Sequence, residues 1–271
     1  MFYGIRSLPQ RFRLLLSSFQ QSDSLAFSDA LTQDQIDDVC ERHGVSFDVD
    51  TIYTPAIVLW GFLSQVIHKE EHRSCLAAVA RIGVLLVAMG RPRGEQNNGP
   101  YCRARCRLPL PVVRELSEDV ASRCEAQASP EWLFNNRHVK LIDGTTVTMP
   151  DTEENQEAFP QQSCQQEGLG FPIARMVVLL SLATAMVQGM AMGPYQGKET
   201  GESALLRGLL DHFEAGDIAL ADKLYCTYFL IGLLGERKVD LVTLLHQSRN
   251  ADAEIRRGKR IGKGDYLITW H

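Results

Sequence analysis

The sequence predicts an α/β protein in which a mainly helical N-terminal region precedes a mixed sheet with crossover helices. Two observations support this class. Residues 1–135 carry apolar stripes at helical spacing, whereas residues 136–271 alternate short extended runs with helical stripes. Two of the extended runs end in an aspartate, which places a carboxylate group at the end of each of these predicted strands. We expect three segments: a helical domain at 1–135, a sheet core at 136–246, and the start of a β insertion at 247–271.

The composition is that of an ordinary globular protein, with 45% hydrophobic and 23% charged residues among 271. The net charge of −5 does not mark a nucleic-acid-binding protein, so such a role would need basic residues clustered locally. Seven cysteines without a CxxC spacing indicate free, buried thiols. The N-terminus has no clear small-residue cleavage site, and we do not interpret it as a signal peptide.

The helical domain is predicted from helix N-cap residues and from apolar residues at helical spacing. Thr32 is expected to open a short helix, and Thr54 to cap one that has Pro55 at its first position. Apolar stripes predict further helices at 75–89 and 108–128.

A basic cluster lies between these helices, at Arg103, Arg105 and Arg107. Arginines on a helical pair dock on DNA phosphates. A solvated arginine face, or internal salt bridges, explains the same pattern.

The sheet core is predicted from β-branched and apolar runs bounded by turn residues. The stretch 176–194 has 19 residues without a formal charge, enough for a transmembrane helix, but its polar and glycine residues favour two buried strands joined by a turn. Residues 150–170 are expected to be a polar loop. The predicted strands are 139–142, 145–149, 172–182, 186–192, 218–221, 239–245 and 265–270, and the predicted helices of this part are 199–213 and 226–237.

Asp143 and Asp222 are the candidate site residues. Asp143 follows the first strand and opens an Asp-Gly turn signal, and Asp222 follows the strand at 218–221. Two strand-end carboxylates in one sheet suggest ligands for a divalent metal ion. Taken singly, an Asp at a strand end also serves as a turn residue or a helix N-cap.

The predicted strand order and several sequence segments resemble those of a known family. The strand order, with Asp on the first and fourth strands, resembles a ribonuclease H-like core. The segments LIDGTTVTMPDT, GDIALADKLYCTYFLIGLL and RRGKRIGKGDYLITWH resemble the insertion-sequence-4 family of DDE transposases, as do the upstream YCRARCRLP and TPAIVLWGFLSQV. The resemblance covers most of residues 50–271.

The resemblance implies DNA cleavage and strand transfer by acidic residues that bind Mg²⁺ or Mn²⁺. Asp143 and Asp222 match the first two family acids, as catalytic residues and as metal ligands. Two metal ions about 3.5–4 Å apart then hold the scissile phosphate. Contacts to DNA are expected from a set of basic residues: Arg103, Arg105, Arg107, Lys223, Arg256, Arg257 and Lys259.

The sequence departs from the family pattern at the third acid. That Glu belongs to a motif that nothing in this chain matches, and Lys223 stands where many relatives have Arg. We therefore expect a C-terminally truncated transposase that is weak or inactive alone. A different completion of the metal site would need Glu199, Glu202 or Asp217 close to the two aspartates.

Two functions remain open from the sequence. The chain is either a metal-dependent transposase degraded by truncation, or a non-catalytic DNA-binding or dimerising fragment that inhibits full-length transposase. The expected partner is double-stranded DNA, both transposon ends and target. A homodimer is compatible with the resemblance, and a membrane is not expected. The expected location is the prokaryotic cytoplasm, in association with the nucleoid.

Overall fold

The computed structural model of the protein describes residues 27–28, 30–47, 51–94, 96–166, 168–246 and 252–269. The chain divides into two compact units, Met1–Val120 and Ala121–His271. The domain limits given above stay predictions. What the sequence predicted for residues 1–26 and for Trp270 lies outside the described residues.

The first unit is helical, as predicted. Thr32 caps the first helix with a reciprocal capping box to Gln35, and the Thr54 side chain accepts from the backbone N–H of Ile57. One core of apolar side chains, around Ile82 and the fully buried Tyr101, joins the middle three helices of this unit. A second core, around Ile36 and Val112, joins the first and the last helix to the second. The helices are α1 Gln33–Arg42, α2 Pro55–Ile67, α3 Cys75–Ala88, α4 Gly99–Cys106 and α5 Leu110–Ala126, the last of which runs into the second unit.

The second unit is built on a five-stranded mixed sheet within the described residues, with strand order β3-β2-β1-β4-β5. β1 pairs antiparallel with β2 and β2 with β3, whereas β4 and β5 run parallel to β1. The mixed α/β class is therefore confirmed. The strands are β1 Val139–Thr148, β2 Ile173–Ser181, β3 Val187–Pro194, β4 Ile218–Ala221 and β5 Asp240–Thr243.

The predicted Asp-Gly turn at 143–144 is wrong. β1 continues through both residues, and Asp143 and Gly144 pair with Val178 and Val177 of β2. Nine consecutive cross-strand pairs along β1 outweigh a local turn preference, because each pair adds ladder hydrogen bonds and side-chain contact. Asp143 therefore lies in the middle of a strand.

The hairpin predicted within 176–194 is confirmed. β2 and β3 are joined by a short turn in which the Ser181 hydroxyl accepts from the N–H groups of Ala183 and Thr184, and Ala185 has a positive φ of 58°. No described helix is long and apolar enough to cross a membrane.

Several elements are shorter than predicted or were missed. The loop expected at 150–170 contains a helix that Thr152 caps, α6 Glu153–Ala158. The helix expected at 199–213 is reduced to α7 Glu202–Arg207 and a separate 3₁₀ turn, because Glu199 has a positive φ and Gly208 ends α7. The remaining elements are α8 Tyr228–Glu236, α9 Asp252–Arg257, β6 Lys259–Arg260 and β7 Tyr266–Leu267, with β6 and β7 forming a small antiparallel pair.

Candidate functional site

Asp143, within β1, and Asp222, directly after β4, lie at the same level of two neighbouring parallel strands. The last β1–β4 pair is Ile142 with Ala221, so the two aspartates are the next residue on each strand. Asp222 keeps an extended backbone, with φ −73° and ψ 174°. Parallel strands lie about 4.8 Å apart, and residues in register point to the same face. The two exposed carboxylates are therefore neighbours on one face of the sheet.

Each aspartate already uses one carboxylate oxygen. Oδ1 of Asp143 accepts from the backbone N–H of Gly144 at 2.9 Å, and Oδ1 of Asp222 accepts from that of Leu224 at 2.8 Å. The second bond caps the short 3₁₀ turn Lys223–Tyr225, which confirms the capping interpretation of Asp222. Thr243 of β5 donates to the carbonyl oxygen of Asp222 at 2.7 Å, which fixes the backbone there.

Glu202, the first residue of α7, brings a third carboxylate to β1. A Cβ built on Gly144 would lie 2.5 Å from Oε2 and 2.6 Å from Oε1 of Glu202. The space that any other residue at 144 would fill is thus taken by this carboxyl group. α7 is held there by Leu206, which is fully buried in the core of the sheet unit.

Tyr225 lies beneath these acids. Its side chain is 1% exposed, and its hydroxyl has no hydrogen-bond partner that meets ordinary geometric limits among the described residues. Burial raises the pKa of the Tyr225 hydroxyl far above its usual value, and the carboxylates of Glu202, Asp222 and Asp143 raise it further. One buried hydroxyl is therefore within electrostatic reach of all three acids.

The donor set fits a hard cation in its chemistry, since carboxylate oxygens are the ligands that Mg²⁺ and Mn²⁺ prefer. The arrangement is not a completed metal centre. Across the described ranges, no three His, Cys, Asp or Glu side chains are grouped so that they could hold a metal ion.

The two other acids considered from the sequence do not join the site. Asp217 is buried in an ion pair with Lys140, with Oδ2 of Asp217 2.8 Å from Nζ of Lys140. The Glu199 side chain is 85% exposed and lies 4.0 Å from Arg207. Glu202 is the acid that the structure brings to Gly144.

The basic residues predicted to bind DNA lie in both units. In the second unit, Lys223 is exposed directly after Asp222. Arg256 and Arg257 are exposed in the last turn of α9, and Lys259 is exposed on β6.

The arginine cluster of the first unit does not share one environment. Arg103 and Arg107 are exposed. Arg105 turns inward, and its guanidinium donates to Oε1 of Gln65 at 3.2 Å, beside the Tyr101 hydroxyl that donates to the same oxygen at 2.6 Å. Burial raises the pKa of Tyr101 to about 12, so this hydroxyl remains a donor.

The sequence interpretation missed the roles of Gly144 and Tyr225. The Asp-Gly pattern predicts only a turn at Gly144, and Tyr225 is not among the predicted site residues. An isolated glycine inside a strand pattern often marks a close approach, which was the available signal. The prediction that the free thiols are buried is only partly correct, because Cys40 and Cys226 are buried whereas Cys106 and Cys164 are exposed.

Comparison with known proteins gives one informative similarity. No family model matches the chain. Over 170 residues it is 27% identical to the transposase InsG for insertion sequence element IS4 of Escherichia coli strain K12. The aligned segment is 61% of this chain and 36% of that relative, so the chain spans about a third of the relative's length. The similarity supports a transposase-related family.

Proposed function

We propose that this chain carries the acidic centre of a transposition-related protein, in a ribonuclease H-like core that acts on the phosphodiester backbone of double-stranded DNA. The similarity to the InsG transposase supports the DNA-related class. The observation that supports cation binding is the shared register of Asp143 and Asp222 at the end of the β1–β4 pairing. Carboxylates side by side on rigid strands are the means by which proteins hold divalent cations against phosphate oxygens.

The two aspartates would hold Mg²⁺ or Mn²⁺ through the oxygens that they do not use locally. Each Oδ1 accepts a backbone N–H bond, which fixes the carboxyl group and leaves Oδ2 for a ligand. When bound, the metal supplies charge neutralisation at the scissile phosphate and lowers the cost of charge on the leaving oxygen.

Lys223 would orient the DNA strand. Its exposed ammonium group stands one residue after Asp222, where it adds a point charge for a neighbouring phosphate without the bidentate geometry of arginine. The exposed Arg256, Arg257 and Lys259 extend the positive charge of the same unit along the DNA backbone.

A non-catalytic DNA-binding role is the second candidate. It is favoured by one observation, that within the described residues no three acids are yet grouped around one point. In that case the exposed Arg103 and Arg107 would carry the phosphate contacts. The chain would act on transposition by occupying DNA or by pairing with a full-length transposase.

Calorimetric titration with Mn²⁺ and Mg²⁺ separates the two candidates. We expect binding to the parent chain that weakens at least about tenfold in both Asp143→Asn and Asp222→Asn. Asp211→Asn is the matched control, because this aspartate is 95% exposed and pairs with Arg237 at 3.2 Å. Absence of cation binding in the parent chain, together with retained DNA binding, would replace the first candidate by the second.

A further inference from the structure

We propose that Cys75 and Cys102 are a reversible oxidation site, at which a small-molecule disulfide converts two neighbouring thiols into one intramolecular disulfide that joins α3 to α4. Both cysteines are free and half-buried in the structure. The inference does not rest on the proposed function, because it concerns the helical unit and needs no metal ion or DNA.

The two thiols are direct neighbours, although they are 27 positions apart in the sequence. A side-chain hydrogen bond joins Cys102 to Cys75. Cys75 is the first residue of α3, and Cys102 is the fourth residue of α4. Both side chains pack against the core that contains Ile82 and Tyr101. A disulfide forms only between cysteines that the fold brings close together, and this pair meets that condition.

Gln65 gives an independent measure of this proximity. The amide Nε2 of this buried side chain donates to Sγ of Cys75 at 3.7 Å. Its Oε1 accepts from the Tyr101 hydroxyl at 2.6 Å and from the Arg105 guanidinium at 3.2 Å. Tyr101 precedes Cys102 directly, and Arg105 lies one helical turn after it on the same side of α4. One side chain therefore connects the Cys75 sulfur to the turn of α4 that carries Cys102.

Cys106 is the other cysteine of α4, but it is not a suitable partner for Cys102. Residues four positions apart on a helix have Cβ atoms about 5–6 Å apart, whereas a disulfide requires about 3.5–4.5 Å. A bond between these two residues would therefore distort α4. Cys106 is exposed, so it reacts with an oxidant in solution and serves as an internal control.

The reaction is thiol–disulfide exchange in two steps. The Cys75 sulfur, after losing its proton, attacks one sulfur of oxidised glutathione, and the first glutathione leaves and takes up a proton. Cys102 then loses its proton and attacks the Cys75 sulfur, which releases the second glutathione as a thiol. Two electrons and two protons thus pass from the chain to one glutathione disulfide, which becomes two glutathione thiols.

The order of the two steps follows from the surroundings of Cys102. Burial raises the pKa of the Cys102 thiol, and the hydrogen bond to Cys75 raises it further. Because the thiolate is the nucleophile, Cys102 reacts slowly with an oxidant in solution. It acts in the second step, when the sulfur that it attacks is already beside it.

The disulfide would stabilise the helical unit. A cross-link between residues distant in sequence restricts the unfolded chain more than the folded one. α4 also carries the exposed Arg103 and Arg107, so the bond would fix the helix on which these two candidate DNA contacts lie.

Peptide mass spectrometry on the oxidised full chain tests the assignment. Trypsin releases Cys75, Cys102 and Cys106 on separate peptides, 74–81, 94–103 and 106–107. After the folded chain is incubated with oxidised glutathione, we expect 74–81 to be linked to 94–103, and dithiothreitol to separate them. Linkage of 94–103 to 106–107 would overturn the inference, as would recovery of 74–81 and 94–103 only as free thiols or glutathione adducts.

Two variants and one unfolded sample test whether the folded helices direct the pairing. We expect Cys102→Ser to abolish the linked peptide, and Cys106→Ser to leave its yield unchanged. Oxidation of the parent chain in concentrated urea should spread the linkages over other cysteines. Equal yields of the linked peptide from folded and unfolded chain would contradict a pair held together by the fold, and its loss in Cys106→Ser would contradict direct reaction of the pair.

Thermal unfolding gives a readout that glutathione adducts on exposed thiols do not produce. We expect the oxidised parent chain to unfold at least about 5 °C above the reduced chain, as followed by circular dichroism. In Cys102→Ser the same treatment should give no increase. A disulfide-linked chain that unfolds at or below the temperature of the reduced chain would overturn the inference that α3 and α4 already hold the two sulfur atoms together.

Discussion

Lys140 and Asp217 form an ion pair that is almost fully removed from solvent, with both side chains 6% exposed. Nζ of Lys140 also donates to the carbonyl oxygen of His212 at 2.6 Å, and Oδ2 of Asp217 accepts from the backbone N–H of Glu214 at 2.8 Å. Nζ of Lys140 and Oδ2 of Asp217 thus each have a further hydrogen bond that offsets part of the desolvation of the pair. Asp217 is accordingly a structural residue, although in sequence it resembles the other strand-associated aspartates.

Asp217→Asn is expected to lower the free energy of unfolding by about 3–5 kcal/mol, because it leaves the buried Lys140 ammonium without its counter-charge. Urea denaturation followed by circular dichroism measures the loss. Asp240→Asn is the matched control at the start of the neighbouring strand. Asp240 pairs with Arg137 at 2.7 Å but is 69% exposed, so its loss should cost about 0–1 kcal/mol. Equal effects of the two substitutions would contradict the burial argument.

At the scale of single elements, the end of α5 and the β2–β3 hairpin are joined through one carboxylate. Oε1 of Glu125 lies 2.6 Å from Nδ1 of His138, and its Oε2 accepts from Thr184 at 3.0 Å and from Gln188 at 3.2 Å. The Glu125 side chain is 13% exposed. The start of β1, the turn of the hairpin and the last helical turn therefore share one acceptor.

Glu125→Ala is expected to destabilise the sheet unit by about 1.5–3 kcal/mol, because three buried or half-buried donors lose a charged acceptor. Thermal unfolding of the variant measures this loss. Glu118→Ala, two turns earlier on α5 and half-buried, is the control and should change stability by less than about 0.5 kcal/mol. An equal or larger loss of stability in Glu118→Ala would contradict the role of the shared acceptor.

The elements differ in how well the sequence predicts them. Caps such as Thr54 and the apolar stripe of α3 are local signals, and the structure follows them. The Asp-Gly pair of β1 is also a local signal, but pairing with β2 overrides it. The approach of Glu202 to Gly144 depends on the packing of α7, about 60 residues later in the chain, and no local pattern carries that information. Asp143 and Asp222 could be brought together in the sequence interpretation because extended runs and carboxylates are both visible there, although the strand end predicted at Asp143 is wrong.

At the scale of the whole molecule, the two compact units have separate hydrophobic cores. Leu206 belongs to the core of the sheet unit, and Ile82 to a core of the helical unit that also contains the buried Trp60. A core that is complete within one unit confers its stability mainly on that unit.

Leu206→Ala is expected to destabilise the sheet unit by about 2–5 kcal/mol through the cavity that it leaves. In a background with Trp132→Phe and Trp270→Phe, fluorescence follows Trp60 in the helical unit. We expect Ile82→Ala to shift the urea midpoint of the Trp60 signal, and Leu206→Ala to shift mainly the far-ultraviolet signal of the sheet unit. Equal shifts of both signals by either substitution would show one cooperative unfolding unit instead.

The register that brings Asp143 and Asp222 together also determines when this acidic pair forms during folding. The two residues are 79 positions apart, and β4 is the strand that brings them together. During synthesis, β1, β2 and β3 can pair as soon as residue 194 has emerged, but Asp143 then still lacks its neighbour. A slip of one residue between β1 and β4 would turn the two carboxylates to opposite faces. The acidic pair therefore exists only after a late, long-range pairing has formed in the correct register, and a nascent or misfolded chain does not carry it.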